Sequence, residues 1–264
     1  MTTATTCDTA LPDARRICTF LSEYTASLAG CGATCIRIEK NVERIAAAYG
    51  MSVEIAVMPR HIHLSVWSDC RSEVVTAISS PKAMPVSFSV NTGLSRLSWD
   101  IADGRTSFDE ACARLDGIAA SDSQNKWFVL LAGSLANASF CRLFGGDPQA
   151  MAVVGVATAA GYWLKGEMLG RHFDLRLTVF VCAFVSAVVS AAAMLFSLGN
   201  TPLTAIGTSV LYLVPGIPFL NSFSDLVYRH YICSVSRFID AAVTTCCLSA
   251  GLCAAMLLMR AGMF

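Results

Sequence analysis

The chain has 264 residues, of which 55% are hydrophobic and 14% are charged, and its mean hydropathy is +0.57. This composition is too apolar for a soluble domain of this size and predicts a membrane protein. The 19 basic and 19 acidic residues give a formal net charge of zero. No basic surface emerges from that balance, which argues against nucleic acid as a partner.

The charges divide the chain into two halves. Twelve of the 19 Lys and Arg and fourteen of the 19 Asp and Glu precede Trp127, so a water-soluble half is expected before a membrane half. The predicted order is a disordered start (1–11), a cytoplasmic α+β domain (12–120), a linker (121–126) and a transmembrane domain (127–264).

Cysteine and histidine give little sign of a metal site. The 12 cysteines are scattered without paired CxxC motifs, so a zinc site is not expected. Without a secretory signal peptide, reduced cytoplasmic thiols are the simpler interpretation. His61 and His63 share one face of a predicted strand but lack a nearby third ligand. We therefore expect no metal and no cofactor, and the absence of GxSxG, Walker or HExxH patterns argues against an enzyme.

The soluble half reads as helices around a small sheet. Apolar residues at helical spacing predict helices at 12–29 and 34–49, each followed by glycine. Alternating and β-branched runs predict four strands, at 52–58, 61–68, 73–79 and, more weakly, 86–91. Ser107 and Glu110 form a capping box that opens a last helix ending near residue 118.

Five hydrophobic segments follow, at 127–144, 149–164, 175–198, 203–227 and 238–259. A bilayer span needs ~20 apolar residues, so the second segment is short. We expect an α-helical membrane domain with five transmembrane helices, preceded by the α+β domain.

The loop charges predict an orientation. The first and third connections between segments carry no Lys or Arg, whereas the second and fourth carry several. By the positive-inside bias, the soluble domain is cytoplasmic and the C-terminus lies outside. The supporting residues are Lys165, Arg171, Arg176, Arg229 and Arg237; Arg142 and Arg260 go against the rule.

The fourth segment is interrupted at its centre by the sequence LYLVPGIPFLNSFSD. Pro215, Gly216 and Pro218 should break the helix, because proline removes a backbone donor and clashes with the preceding turn. Broken backbone at membrane depth is tolerated only where it is buried in protein or lines a wet cavity. Discontinuous helices with nearby polar groups are how many secondary transporters form a substrate site.

Polar residues just beyond the break are the main site candidates. In a restarted helix Asn221, Ser222 and Asp225 fall three and four positions apart and share a face. A buried carboxylate has a raised pKa and could carry a proton inward as substrate leaves. The alternative is that Asp225 lies at the cytoplasmic end of the span, paired with Arg229 or Arg237.

Two weaker candidates lie elsewhere in the membrane half. Asn137, in the first hydrophobic segment, is best explained by an interhelical hydrogen bond. Asp240, near the start of the fifth segment and close to Arg237, is best explained by an interfacial ion pair.

Four stretches of the sequence are distinctive: GATCIRIEKNVERIAAAYG, PRHIHLS, SFDEACARLDGI and, above all, LYLVPGIPFLNSFSDL. Through them the chain resembles the threonine/serine exporter family, specifically its amino-terminal, YjjP-like component. The resemblance extends from about Ile17 to the end. In that family a second, smaller membrane module is either fused or separately encoded, and it is absent from this chain. The resemblance thus implies a separately encoded small membrane partner, and export of threonine and serine or of a dicarboxylate such as succinate.

The expected function is therefore that of a subunit of an inner-membrane exporter of small polar metabolites, proton-coupled or facilitated. Five spans without an internal repeat favour assembly, as a homo- or hetero-oligomer in the lipid bilayer. Two alternatives stay open. One is a channel-like pore, and the other is a membrane-anchored scaffold or sensor whose soluble domain is the working part.

Overall fold

The computed structural model describes residues 13–68, 74–120, 125–195 and 200–261, without the side chains of 193–195 and 260–261. The predicted disordered start, residues 121–124 of the predicted linker and the last three residues lie outside these ranges. The described chain forms two compact units. One holds the residues up to 120 with Leu220–Arg237, and the other holds residues 125 to Phe219 with those from Phe238 onwards.

The first unit is an α+β arrangement. Its elements are α1 (Ala14–Gly30), α2 (Cys35–Ala48), β1 (Met51–Val57), β2 (Ile62–Ser68), β3 (Val74–Ser79), α3 (Phe88–Ala102) and α4 (Phe108–Ala120). The predicted helices at 12–29, 34–49 and 107–118 and the first three predicted strands are confirmed.

The sheet is antiparallel in the order β1-β2-β3. Val57 pairs with Ile62 on the central strand, and Trp67 pairs with Val74 on β3. Side chains at 62, 64 and 66 are buried while His61 and His63 are exposed, because alternate residues of a strand point to opposite faces. The buried face packs on α1 and α2, where Tyr24, Ile38, Leu64, Leu94 and Leu115 belong to one apolar core.

The predicted fourth strand at 86–91 is wrong, because this segment begins helix α3. The Ser87 hydroxyl accepts a hydrogen bond from the Val90 backbone N–H at 3.3 Å, which is an N-cap. Val90, Leu94, Leu97 and Ile101 are then buried at helical spacing. The strand-like residues are therefore the first turn of a longer helical pattern.

The second unit is helical. It contains α5 (Lys126–Leu143), α6 (Pro148–Gly170), α7 (Leu175–Leu195), α8 (Pro202–Ser209) and a 3-10 turn (Leu211–Leu213). It also holds the start of α9 (Gly216–Val227) and most of α10 (Tyr231–Ala261). Small residues allow close helix packing: Ala183 and Ala187 are fully buried on α7, and a Cβ at Gly251 of α10 would collide with the Phe180 carbonyl.

Two described helices are long and apolar enough to cross a membrane, namely Leu175–Ala192 of α7 and Tyr231–Met259 of α10. Pro202–Leu213 and Gly216–Val227 meet the same test together, which gives up to three spans among the described residues. Five transmembrane helices are not confirmed. Helices α5 and α6 have 18 and 23 residues, but their charged and polar side chains lower their hydropathy.

Candidate functional site

The predicted interruption of the fourth hydrophobic segment is present. The helical axes on its two sides differ in direction by 60°. Val214 is extended, with ψ 125°, as expected for a residue before proline. Helix α9 begins at Gly216, and the Phe219 N–H donates to the Pro215 carbonyl at 3.3 Å. Pro215 thus breaks the helix, whereas Pro218 lies in the first turn of α9, where a missing N–H is tolerated.

A buried polar cluster lies directly before the break, in the second unit. The Asn137 side-chain amide of α5 donates to the Thr158 hydroxyl of α6 at 2.6 Å and to the Thr208 carbonyl of α8 at 3.1 Å. Asn137 is 3% exposed and Thr158 is fully buried. Asn137 therefore ties three helices together through interhelical hydrogen bonds.

A second hydrogen-bonded group holds the 3-10 turn. The Ser186 hydroxyl of α7 lies 3.0 Å from the Tyr212 hydroxyl and donates to the Ala157 carbonyl of α6 at 3.3 Å. Gly161 packs against both hydroxyl oxygens so closely that a Cβ there would collide with them. The turn before the break is thus fixed to α6 and α7. Sequence reasoning did not single out Tyr212, Ser186 or Thr158; each is a polar residue within an apolar segment, which was the available signal.

An open groove of about 730 Å³ runs beside this turn within the second unit. Its size lies in the range of small-molecule sites, about 300–1,000 Å³. Small residues of α5 form part of its wall. Three polar side chains also line it, those of Asn137, Tyr162 and Tyr212. The other lining residues are Phe128, Val129, Ala132, Gly133, Ala136, Phe140, Phe144, Leu211 and Val214.

Asp225 lies in the first unit and is fully buried. Its Oδ1 accepts a hydrogen bond from the Cys35 backbone N–H, the first of α2, at 2.9 Å. Its Oδ2 lies 2.9 Å from Nη1 of Arg237, although these two buried atoms are not aligned as a hydrogen bond. The carboxylate therefore faces a helix N-terminus and a guanidinium, both of which favour negative charge. This is the Arg237 pairing that the sequence offered as the alternative for Asp225.

Asn221 and Ser222 share the Asp225 face of α9, as predicted, and they too contact protein groups. The Asn221 amide donates to the Gly32 carbonyl at 2.8 Å. The hydroxyls of Ser222 and Ser234 each donate to the other residue's carbonyl at 2.8 Å. These bonds join α9 to the start of α10 and to the loop between α1 and α2.

Two further contacts in the same unit were missed by sequence reasoning. Glu39 Oε2 lies 3.3 Å from His230 Nε2, and burial raises the pKa of the Glu39 carboxyl despite the nearby imidazole. The neighbouring Cys233 thiol, together with burial, raises the pKa of the Cys35 thiol. No local sequence pattern could have paired residues nearly 200 positions apart.

The remaining candidates are peripheral. Asp240 Oδ1 lies 3.5 Å from Arg176 Nη2, and both side chains are more than half exposed, so the pair is weak. The His61 ring lies 3.4 Å from the Ser80 hydroxyl. Among the described residues, no group of three or more His, Cys, Asp or Glu could hold a metal ion.

The predicted site residues therefore fall into two groups. Pro215, Gly216, Pro218 and Asn137 lie in the second unit, where the break adjoins a groove and a buried polar cluster. Asn221, Ser222 and Asp225 lie in the first unit, where Asn221 and Asp225 bind the α1–α2 region and Ser222 binds Ser234 of α10.

The sequence is similar to those of known proteins. The sequence profile of a family described as "Putative threonine/serine exporter" matches residues 19–259. The chain is 27% identical over 132 residues to "Probable succinate transporter subunit YjjP" of Escherichia coli (strain K12), which covers 50% of this chain and 52% of that protein. It is 25% identical over 227 residues to the protein of the same name from Klebsiella aerogenes, covering 85% of this chain and 87% of the relative. No solved structure matches.

Proposed function

Because the chain belongs to the threonine/serine exporter family, we propose that it is one subunit of an inner-membrane exporter of small polar metabolites. The proposed substrates are threonine and serine, or a dicarboxylate such as succinate, since the two relatives are named as succinate transporter subunits. The word "subunit" in those names supports a second, separately encoded small membrane protein as its partner. The activity is transport rather than catalysis.

The observation that carries this proposal is the break at Pro215. An apolar segment that bends by 60° exposes backbone groups that lipid cannot satisfy, so they should be buried or face a wet path. The groove beside the 3-10 turn presents Asn137, Tyr162 and Tyr212 next to the break. We propose that substrate passes along this groove beside Pro215, which breaks the helix, and beside Gly216 and Pro218 in the first turn of α9.

We also propose that the chain crosses the bilayer five times. Helices α5 and α6 are long enough to span but carry Asn137 and Lys165, so they would cross the bilayer shielded by neighbouring helices. The positively charged connections at 165–176 and 229–237 support a cytoplasmic N-terminal domain and an external C-terminus.

We further propose that Asp225 couples export to the movement of a proton. Protonation of Asp225 would abolish its ion pair with Arg237 and weaken its hydrogen bond with the Cys35 N–H, at 2.9 Å each. Asn221 and Ser222 on the same helix face would change partners at the same time. A proton carried by Asp225 would thus be coupled to a rearrangement of α9.

Efflux from intact cells tests the proposal. Radiolabelled threonine, serine and succinate are loaded, and efflux is followed with the chain alone, with its small partner, and as Asp225→Asn. We expect efflux only with the partner, and its loss in Asp225→Asn. Normal efflux in a well-expressed Asp225→Asn variant would remove Asp225 from the mechanism. No efflux in any combination would contradict the exporter function and favour a scaffold or sensor.

A further inference from the structure

We propose that Asp225 and Arg237 are positioning residues of a polar latch that must open during each transport cycle. The latch is the set of contacts between the α9–α10 hairpin (Leu220–Arg237) and the α1–α2 loop (residues 31–34) with the first turn of α2. The inference rests on the proposed function only for its link to transport. The two states of the latch follow from contacts within the first unit.

The closed latch consists of directional polar contacts. Arg237 Nη2 donates to the Ala33 carbonyl at 2.9 Å, Asn221 donates to the Gly32 carbonyl at 2.8 Å, and Asp225 accepts from the Cys35 N–H at 2.9 Å. Three consecutive peptide groups, between residues 32 and 35, are thereby bound by three side chains of the hairpin. In addition, the Cys233 thiol donates to the Val57 carbonyl at 3.2 Å.

Apolar packing contributes little to this attachment. The large apolar core of the first unit is formed by side chains between Ile17 and Ile118, and none of its described members comes from the hairpin. Segments held by few buried apolar contacts open at a lower free energy than the core around them. The hairpin can therefore detach while the α+β core stays folded.

The loop also contains a replacement for the Asp225 contact. Thr34 is the N-cap residue of α2 and has the extended backbone of a cap, with ψ 153°, yet its side chain makes no capping hydrogen bond. Threonine at this position normally accepts from an N–H of the first turn. When Asp225 leaves, the Thr34 hydroxyl can satisfy one of the freed donors. Helix α2 thus has a distal cap in the closed state and a local cap in the open state.

The hairpin is continuous with the break. Helix α9 starts at Gly216, immediately after Pro215, and its residues from Leu220 onwards belong to the latch. Because α9 is continuous, closing the latch restrains the residues that follow Pro215, and opening it releases them.

Charged and titratable groups around Asp225 include Arg237 on α10, Glu39 and the Cys35 thiol on α2, His230 before α10 and the Cys233 thiol. Arg237 is the cation in direct contact. Opening separates this pair and exposes both members to water, which lowers the cost of breaking it.

Thiol labelling measures the latch without any reference to transport. Cys35 and Cys233 are 0% and 4% exposed in the closed state, so a maleimide reaches them only after opening. Thr34→Ala removes the local cap of the open state alone and should slow labelling of both thiols about fivefold, the effect of about 1 kcal/mol of capping. Thr34→Asp offers a stronger cap and repels Asp225, and should speed labelling.

Ser107→Ala is the matched control, because it removes the hydroxyl that caps α4 elsewhere in the same unit. Labelling of Cys35 and Cys233 should be unchanged in this variant. Equal labelling rates in Thr34→Ala and Thr34→Asp would overturn the two-state latch whether or not the protein transports anything.

Cross-linking tests the link to transport. Copper phenanthroline with oxygen removes two hydrogen atoms from the Cys35 and Cys233 thiols and joins their sulfurs, and mass spectrometry identifies the linked peptides. In membranes containing the chain and its partner, the linked form should export at least about tenfold more slowly, and a reducing agent should restore export. Oxidant should not slow export in Cys35→Ser.

The outcomes separate the two proposals. Undiminished export by the cross-linked protein would overturn the requirement for opening and leave the exporter function intact. Failure of the two sulfurs to link would contradict the thiol contact of the closed state. Absence of export before oxidation would instead contradict the proposed function, while the labelling rates still decide whether the latch exists.

Discussion

The Asp225 carboxylate is fully buried, and the Arg237 side chain beside it is 25% exposed. Asp225→Asn would keep an acceptor for the Cys35 N–H but leave Arg237 without its counter-charge. Loss of one partner of a fully buried pair costs about 3–5 kcal/mol. Partial solvation of Arg237 reduces this, so we expect destabilisation by about 2 kcal/mol, measured as a fall in the unfolding temperature in detergent.

Asp240→Asn is the control for this prediction, because it also removes a carboxylate from an ion pair with arginine. The Asp240 and Arg176 side chains are 69% and 56% exposed, so their pair should contribute at most about 0.5 kcal/mol. Equal shifts in the two variants would show that the buried pair does not stabilise the fold.

Gly161 is required by close packing. A Cβ at this position would collide with the hydroxyl oxygens of Tyr212 and Ser186, whereas a Cβ at Gly166 on the same helix would meet nothing within 4 Å. Gly161→Ala should therefore destabilise the protein by about 1–3 kcal/mol and displace the turn before the break. Gly166→Ala should be neutral or stabilising. Thermal unfolding of both variants measures the difference, and an equally stable Gly161→Ala protein would contradict this packing.

The Glu39 carboxyl supplies a pH-dependent prediction. Burial raises its pKa in the folded state, so the folded protein binds this proton more tightly than the unfolded chain does. Its contribution to stability is present below the ordinary pKa, about 4.3, and is lost as the pH rises through the folded value.

Glu39→Gln should remove that loss. The unfolding temperature of the variant, relative to the wild type, should therefore rise as the pH is increased from about 4 to about 7. His230→Gln serves as a comparison, since it removes the imidazole 3.3 Å away and leaves the burial of Glu39 in place. A constant difference between Glu39→Gln and wild type at all pH values would contradict the raised pKa.

At the level of elements, the broken helix is the feature on which transport depends. Pro215→Ala restores a backbone donor and removes the clash that ends the helix, so α8 and α9 can straighten. We expect export to fall about tenfold or more, equivalent to about 1.4 kcal/mol in the barrier. Pro202→Ala is the matched control, because Pro202 lies in the first turn of α8 and does not interrupt a helix. Equal export by the two variants would contradict a role for the break.

Local pattern was sufficient to predict most elements but not all. The break at Pro215 and the strands of the sheet have short-range causes, namely missing donors and alternating burial. Helix α3 was missed because its first turn is rich in strand formers, while its period becomes evident only through Leu97 and Ile101. The hydropathy of α5 and α6 is ambiguous for a similar reason: their polar residues are satisfied by other helices, as Asn137 is by Thr158.

At the scale of the whole molecule, the two-part division by charge anticipated the units only in part. The sequence placed residues 220–237 with the membrane half, whereas their contacts are with the first unit. The residues responsible, Asp225 and Cys35, are 190 positions apart, and such a pairing leaves no local signature. Composition predicted a membrane protein and the family resemblance implied an exporter subunit, while the partners of its polar residues required the structure.

The most direct test of the exporter function is flux into proteoliposomes that contain the purified chain and its purified small partner. Radiolabelled succinate, threonine and serine are offered with and without an imposed pH gradient, and liposomes with either protein alone are the controls. We predict flux of at least one of these metabolites only when both proteins are present, faster with the gradient, and abolished by Pro215→Ala. Absence of flux with both proteins correctly inserted, or equal flux with the partner alone, would contradict it.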